Sequence, residues 1–298
     1  MLSSVEIMMR EFIKELDNEY VLELFDKIPK GKRLRAKLIL KIAPPNQNTI
    51  MLATIIELIH MASLLHDDVI DDATLRRGVS SINALFGDKT AIMLGDILYS
   101  KAFSKLPLLD KHIAQIVANS VAMLSVGELL DVELSKKFNP DFKLYFEMIY
   151  KKTAILIEAA ASSAAILAKK DKDIFALYGK NLGLAFQIVD DILDITQDSK
   201  KLGKPSLSDF KEGKTTLPYI YLYKALNDSD KKYLVSLHKQ SLDDKDIEWI
   251  KQKMHTNSII SKSIKYAKNL AAEALQVIEK EKNDDLELIV KSMIERDF

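Results

Sequence analysis

Residues 60–72 read His-Met-Ala-Ser-Leu-Leu-His-Asp-Asp-Val-Ile-Asp-Asp, and residues 183–194 read Gly-Leu-Ala-Phe-Gln-Ile-Val-Asp-Asp-Ile-Leu-Asp. Both close on Asp-Asp-x-x-Asp, within apolar residues that recur at helical spacing. On a helix, positions i and i+4 project from one face, so Asp67 stands over Asp71 and Asp190 over Asp194. Like charges so placed cost about 0.2–0.5 kcal/mol even when solvated, and Asp is a poor helix former, so each pair calls for a cation. Mg²⁺ is the natural occupant, because it takes oxygen ligands and bridges one or two carboxylates to a substrate phosphate. Asp67, Asp68, Asp71, Asp190, Asp191 and Asp194 are therefore the candidate metal ligands. A single such cluster is more often a solvated acidic face. Here Ser63 and His60 extend the first stripe, Gln187 and Gly183 the second, and Leu, Ile, Val and Phe fill the other directions. Two narrow polar stripes on otherwise apolar helices point to an interior cavity.

Outward from these motifs the chain keeps the same character. Its few Pro and Gly residues punctuate long segments of helical spacing, which predict helices over roughly 3–27, 32–43, 48–73, 88–106, 110–136, 141–168 and 172–198, with four or more after 215. Strand signals are nearly absent. No linker of low complexity and no fixed-period repeat interrupts residues 1–298, so the expected fold is all-α, a single-domain bundle of about ten or more helices around a central cavity. Ser199 to Gly213 is the one long polar loop, of the kind that often serves as a lid.

Bulk composition narrows the function. With 43 basic and 43 acidic residues, no global field draws in nucleic acid or an anionic membrane, so a charged ligand must be met by local clusters. The absence of Cys excludes disulfides, thiolate metal sites and cysteine nucleophiles, and suits a cytoplasmic location. The first residues read as an amphipathic helix and not as a secretory signal. The least polar stretch, Ala159 to Ala168, is about half of what a bilayer requires, so no transmembrane segment is expected.

Four basic groups meet the need for cations: Lys30 to Lys37, Arg76-Arg77, Lys151-Lys152, and Lys204 with Lys214. Arg supplies planar bidentate donors to phosphate, and Lys a mobile point charge. Read alone, the first group is a solvated basic face, and Arg76-Arg77 could simply balance the acids nearby.

Taken together, Asp67-Asp68-x-x-Asp71 with Thr74-Leu75-Arg76-Arg77-Gly78, the stretch from Gly183 to Asp194, Gly31-Lys32-Arg33-Leu34-Arg35, Lys152-Thr153, Gly203-Lys204 and Glu212 to Pro218 resemble the trans-type prenyl diphosphate synthases. That family makes farnesyl, geranylgeranyl and longer polyprenyl diphosphates on the isoprenoid synthase fold. The resemblance spans residues 31 to 218. It implies that Lys32, Arg35, His60 and Arg77 bind isopentenyl diphosphate, and that Arg76, Lys152, Thr153, Gln187, Lys204 and Lys214 hold the allylic diphosphate. It also implies about three Mg²⁺ per site, a homodimer, and a catalytic set of Asp67, Asp71, Arg76, Lys152, Asp190 and Lys204. Lys30, Ala36 and Leu207 depart from the family pattern, where Gly, Pro and Gly are usual.

The implied reaction is ionisation of the allylic diphosphate, attack by the isopentenyl double bond, and loss of a proton. Ala62 and Ser63, one turn before Asp67, are the implied chain-length positions. Aromatic residues there go with short products in this family, so small ones imply a product longer than about twenty carbons, octaprenyl-like, which could be handed to a membrane. Ordinary small-residue helix packing is the alternative reading of that pair. A short-chain farnesyl or geranylgeranyl synthase, a terpene cyclase, a non-catalytic partner subunit and an acidic scaffold are the competing functions. The repeated Asp-Asp-x-x-Asp counts against the cyclase and the subunit, and the matched basic groups against the scaffold.

Overall fold

The computed structural model describes residues 1–197 and 207–294. In place of one helix over 3–27 stand α1 (Leu2–Lys14) and α2 (Glu19–Lys27). Asp17 takes a left-handed conformation, φ 50°, and the Asn18 side chain accepts from Val21 N at 3.0 Å. A left-handed residue followed by an N-cap ends one helix and begins the next. After α3 (Leu34–Ile42) comes α4 (Gln47–Ile70), started by Asn46, whose side chain accepts from Thr49 N at 3.0 Å.

The α4 helix is buried almost all round, and Leu52, Ile55, Ile56, Leu58 and Ile59 are fully enclosed. Each such side chain contributes roughly 1.5–3 kcal/mol relative to exposure, so α4 is the organising element of its part of the chain. It packs mainly against α1, α3 and α6. A two-stranded antiparallel hairpin follows, β1 (Leu75–Arg76) and β2 (Val79–Ser80), in register Leu75 with Ser80. This hairpin lies within a stretch where no strand was expected. Its two-residue turn, Arg77 and Gly78, has φ of 54° and 77°, the double positive φ of the turn whose twist matches paired strands. Then come α5 (Ile82–Phe86), α6 (Asp88–Lys105) and α7 (Lys111–Leu134).

The helix expected over 141–168 is composite. It runs as α8 (Phe142–Ile149), a π-helical turn Tyr150–Ala154, and α9 (Ile155–Leu167). Next is α10 (Lys172–Thr196). Part of the expected loop is also ordered into a helical turn, α11 (Ser208–Lys211). The chain continues through α12 (Leu217–Ala225), α13 (Asp228–Leu237), α14 (Asp244–Thr256), α15 (Ile259–Val277) and α16 (Asp284–Ile294).

These elements divide into two compact units. One is Met1–Ala122 with Leu156–Gly179 and Lys280–Leu286; the other is Met123–Ile155 with Lys180–Glu279 and Glu287–Phe298. The first is built on α4. The second has a core of Ile195, Leu207, Phe210, Tyr219, Leu222, Leu234 and Ile250 among others, in which the Phe210 and Tyr219 rings stack at 4.3 Å. The stretch after residue 218, which carries no motif, supplies most of that core.

Among the described residues two helices, α4 and α7, have the length and hydropathy to cross a bilayer, a property that buried core helices share. Of the apolar window of α4, 78% is buried within the fold, as for a core helix, against 39% for α7. Met123, Val126, Leu129 and Val132 of α7 are exposed.

Candidate active site

In the first unit, α4 stops one turn after Asp67. Ala73 N bonds Asp68 O at 2.8 Å and Asp72 N bonds Val69 O at 3.3 Å, with Asp72 left-handed at φ 49°. This is the Schellman closure, and Asp tolerates its left-handed position better than a branched residue would. The closure places Asp67 in the last turn and Asp71 at the C-cap, both half-buried. Asp68 behaves differently. It is 3% exposed and receives Arg76 as a fork: Nε at 2.6 and 2.8 Å from the two carboxylate oxygens, and a terminal nitrogen at 2.5 Å. The hairpin turns Arg76 back onto α4, so Asp68 and Arg76 hold each other.

Around His60 the first unit collects guanidiniums. Arg77 donates to the Pro29 carbonyl at 2.9 Å. Arg33, left-handed at the N-cap of α3, reaches Glu57 at 3.5 Å. Glu57 is itself buried and accepts from Ala36 N at 2.9 Å. Burial first, and then Arg35, Arg77, Arg76 and Arg33, hold the half-buried His60 imidazole well below its ordinary range. It is therefore neutral at pH 7 and can donate one ring N–H to an anion. Burial and the neighbouring Arg76 and Arg33 lower Arg77 as well. A cationic cluster that depresses its own members favours a bound anion. Lys32 lies on the exposed surface. Ala62 is fully buried, and Ser63 donates to His60 O at 2.9 Å. His66 seats on α6, near the Ile92 carbonyl (3.1 Å) and Asp96 (3.4 Å).

In the second unit Asp191 is again buried, but its partners are neutral. Tyr145 donates at 2.5 Å and Gln187 at 2.9 Å, and Thr153 donates to the Gln187 carbonyl at 2.7 Å. Burial is the largest influence on Asp191; with Asp209 and Asp190 nearby, its pKa is pushed up to about 8, against the two hydrogen bonds. Asp194 accepts from Ser208 Oγ at 2.7 Å and from Asp209 N at 3.2 Å, so α11 caps the lower end of the motif. Leu207 opens α11 at φ 58°, the left-handed region that favours Gly. Its side chain is fully buried in the core of this unit, which offsets the roughly 1–2 kcal/mol that a side chain costs there.

Lys152 and Thr153 sit in the π turn. Lys152 Nζ lies 2.6 Å from Asp131 and 2.9 Å from Glu128, both buried on α7. A Cβ on Gly127 would stand 2.3 Å from Lys152 N, and one on Gly183 2.6 Å from Ala154 Cα. Only glycine lets α7 and α10 come this close to the turn. Lys214 pairs with Glu212 at 2.7 Å and lines, with Asp131, Tyr145 and Thr215, a cavity of ≈ 10 Å³. Lys204 lies outside the described residues.

Several participants lie outside the motifs read from sequence: Glu57, Tyr145, Glu128, Asp131 and Ser208; Arg33 lies within one but was given no role. A π turn in particular leaves no mark on hydrophobic periodicity, though such turns gather at functional sites. Among the described residues no group of three or more His, Cys, Asp or Glu stands ready to hold a metal ion. The motif carboxylates suit Mg²⁺, which is commonly bound by one or two carboxylates with waters and phosphates. They are hard carboxylate oxygens in i, i+4 pairs.

Comparison with known proteins agrees with this chemistry. Over 99% of this chain and 98% of the other, the structure is similar to octaprenyl pyrophosphate synthase from Helicobacter pylori, with 46% identity and a TM-score of 0.95. It is likewise similar to a polyprenyl synthase from Caulobacter crescentus complexed with calcium and isoprenyl diphosphate, with 27% identity over 99% and 94% of the two chains and a TM-score of 0.88. Among curated proteins, solanesyl-diphosphate synthase 1 from Oryza sativa is 44% identical over 174 residues, 57% of this chain; the match spans only 40% of that relative's length. Residues 18–254 match the polyprenyl synthetase family, and since they make up most of the chain, this protein belongs to that family of prenyltransferases.

Proposed function

We propose that this protein condenses isopentenyl diphosphate with an allylic diphosphate to give a polyprenyl diphosphate longer than about twenty carbons. The observation that carries the reading is the arrangement within each motif. In both, the middle aspartate is turned into a buried contact, with Arg76 or with Tyr145 and Gln187. The first and fifth aspartates, Asp67 with Asp71 and Asp190 with Asp194, are the i, i+4 pairs that would hold Mg²⁺, with the buried Asp194 oriented by Ser208 Oγ and Asp209 N. The calcium in the Caulobacter relative supports a divalent ion, and family habit supports about three. When bound, Mg²⁺ stabilises negative charge developing on a departing diphosphate.

The chain's own residues have separable parts in the reaction. His60, neutral, would donate a hydrogen bond to isopentenyl diphosphate, and Arg35, Arg77 and Lys32 would supply its counter-charge. Lys152, Lys204 and Lys214, with Arg76 behind Asp68, would face the allylic diphosphate. As the allylic carbon–oxygen bond breaks, the electron pair leaves with the diphosphate, and the isopentenyl π electrons form the new carbon–carbon bond. The proton lost in restoring the alkene passes to the departed diphosphate. Thr153 and Gln187 present dipoles near the cation. Fixed charges and dipoles of this kind need no reorganisation as the barrier is crossed.

The small, buried Ala62 and Ser63, and relatives named for octaprenyl and solanesyl products, support a long product. The exposed apolar residues of α7 support a homodimer with α7 at its interface. We place the enzyme in the cytoplasm. We also read residues 1–298 as one catalytic domain, because α7 and α10 each run through both compact units.

Incubation with Mg²⁺, isopentenyl diphosphate and C5, C10, C15 or C20 allylic starters, followed by chromatography, tests the reading. Extension beyond about twenty carbons is expected, and no condensation with any starter would overturn it. In the same assay Ala62→Phe or Ser63→Phe is expected to shorten the product; an unchanged profile in both would remove the assignment of that path.

A further inference from the structure

We propose that Glu128 and Asp131 are positioning residues: two buried carboxylates on α7 that aim the Lys152 ammonium before any substrate arrives. The proposal rests on the reading of Lys152 as a diphosphate ligand. Neither acid belongs to an aspartate motif. They are one turn apart, 8% and 5% exposed, and they meet Nζ at 2.9 and 2.6 Å. A lysine on a flexible four-carbon stem is a poorly directed charge. An ammonium has three donors, so two carboxylates fix its direction as one cannot. Three features of the chain pack around this contact. Gly127, adjacent to Glu128, lets α7 approach the backbone of Lys152; the π turn carries Lys152 toward α7; and Gly183 admits α10 against the same turn from another helix. Two carboxylates against one ammonium also leave the cluster with excess negative charge. Beyond Asp131 the cavity shared with Lys214 and Tyr145 joins the clamp to the surroundings of Asp191.

A residue that acts through Lys152 must lose its effect once Lys152 is gone. The test is a double-mutant cycle on steady-state condensation with Lys152→Ala, Asp131→Asn and both together. Asp131→Asn is expected to lower kcat by about 10–100-fold, because a misplaced charge is felt most where charge develops, while KM for isopentenyl diphosphate moves less than about twofold. In the Lys152→Ala background the same change is expected to do nothing further. Glu128→Gln, which keeps an acceptor oxygen, is expected to cost less, about 2–5-fold. Losses that multiply in the double variant would overturn the proposal, as would an Asp131→Asn enzyme with unaltered kcat. If Lys152→Ala itself leaves kcat and KM intact, it is the underlying reading of Lys152 that fails. Far-ultraviolet circular dichroism and the urea midpoint check folding; should Asp131→Asn not fold, the same cycle with Glu128→Gln decides.

Discussion

The two Asp-Asp-x-x-Asp motifs are alike in sequence and opposite in electrostatics. Asp68 is buried against a guanidinium and Asp191 against a phenol and an amide. The first is an ion pair. The second is an acid whose proton is retained toward pH 8. One pattern of residues therefore encodes two ways of burying the middle carboxylate. Which way is used depends on what the neighbouring element brings: a hairpin with Arg76, or α8 with Tyr145.

The strongest way to break this comparison is to show that first and middle positions are equivalent. Asp67→Ala and Asp190→Ala are each expected to lower kcat by about 10²–10³-fold, and Asp191→Asn far less, since an amide resembles the protonated acid; comparable losses in all three would end the distinction. Next in size is stability. Asp68→Asn strands Arg76, and because that side chain is only a quarter exposed, urea unfolding at unchanged m is expected to show a loss of about 2–3 kcal/mol.

Smaller, and specific to the second motif, is a pH effect on the metal-free protein. Asp191 holds its proton up to about pH 8 when folded and only to about 4 when unfolded. The folded state thus binds more protons in that window, and its stability falls as pH rises through it, with a slope of up to about 1.4 kcal/mol per pH unit. Asp191→Asn is expected to abolish that component in urea titrations from pH 4 to 8, whereas Asp68→Asn leaves it in place. The smallest effect expected is in Tyr145→Phe: loss of one hydrogen bond to the carboxylate moves the Asp191 midpoint upward, measurable by the same titration.

The sequence made the two motifs legible because an i, i+4 carboxylate pair on an apolar helix is a local pattern. The helices α4 and α10 that carry them were legible for the same reason. The partners of Asp68 and Asp191 were not, except as family-implied phosphate ligands. Arg76 reaches Asp68 through a hairpin whose strands are two residues each, too short for alternation to show. Tyr145 and Asp131 look like ordinary members of helical stripes, and only packing brings them to Asp191 and Lys152. Leu207 was visible as a departure from a usual Gly, and its left-handed backbone shows why Gly is usual there. Gly183 reads as a stripe residue and Gly127 falls inside the helix expected over 110–136, although each marks a place where another chain segment comes too near for a methyl group.

The π turn at Tyr150–Ala154 has one more consequence. Its bonds span five residues where an α-helix spans four, so α9 continues α8 one residue out of phase, an angular offset of about 100°. Removing a single residue within 151–153 would knit α8 and α9 into one unbroken rod, and would swing Tyr145 and the start of α9 out of azimuthal alignment. The extra residue acts as a washer in a screw thread: it adds almost nothing to length, but it sets which way the ends face.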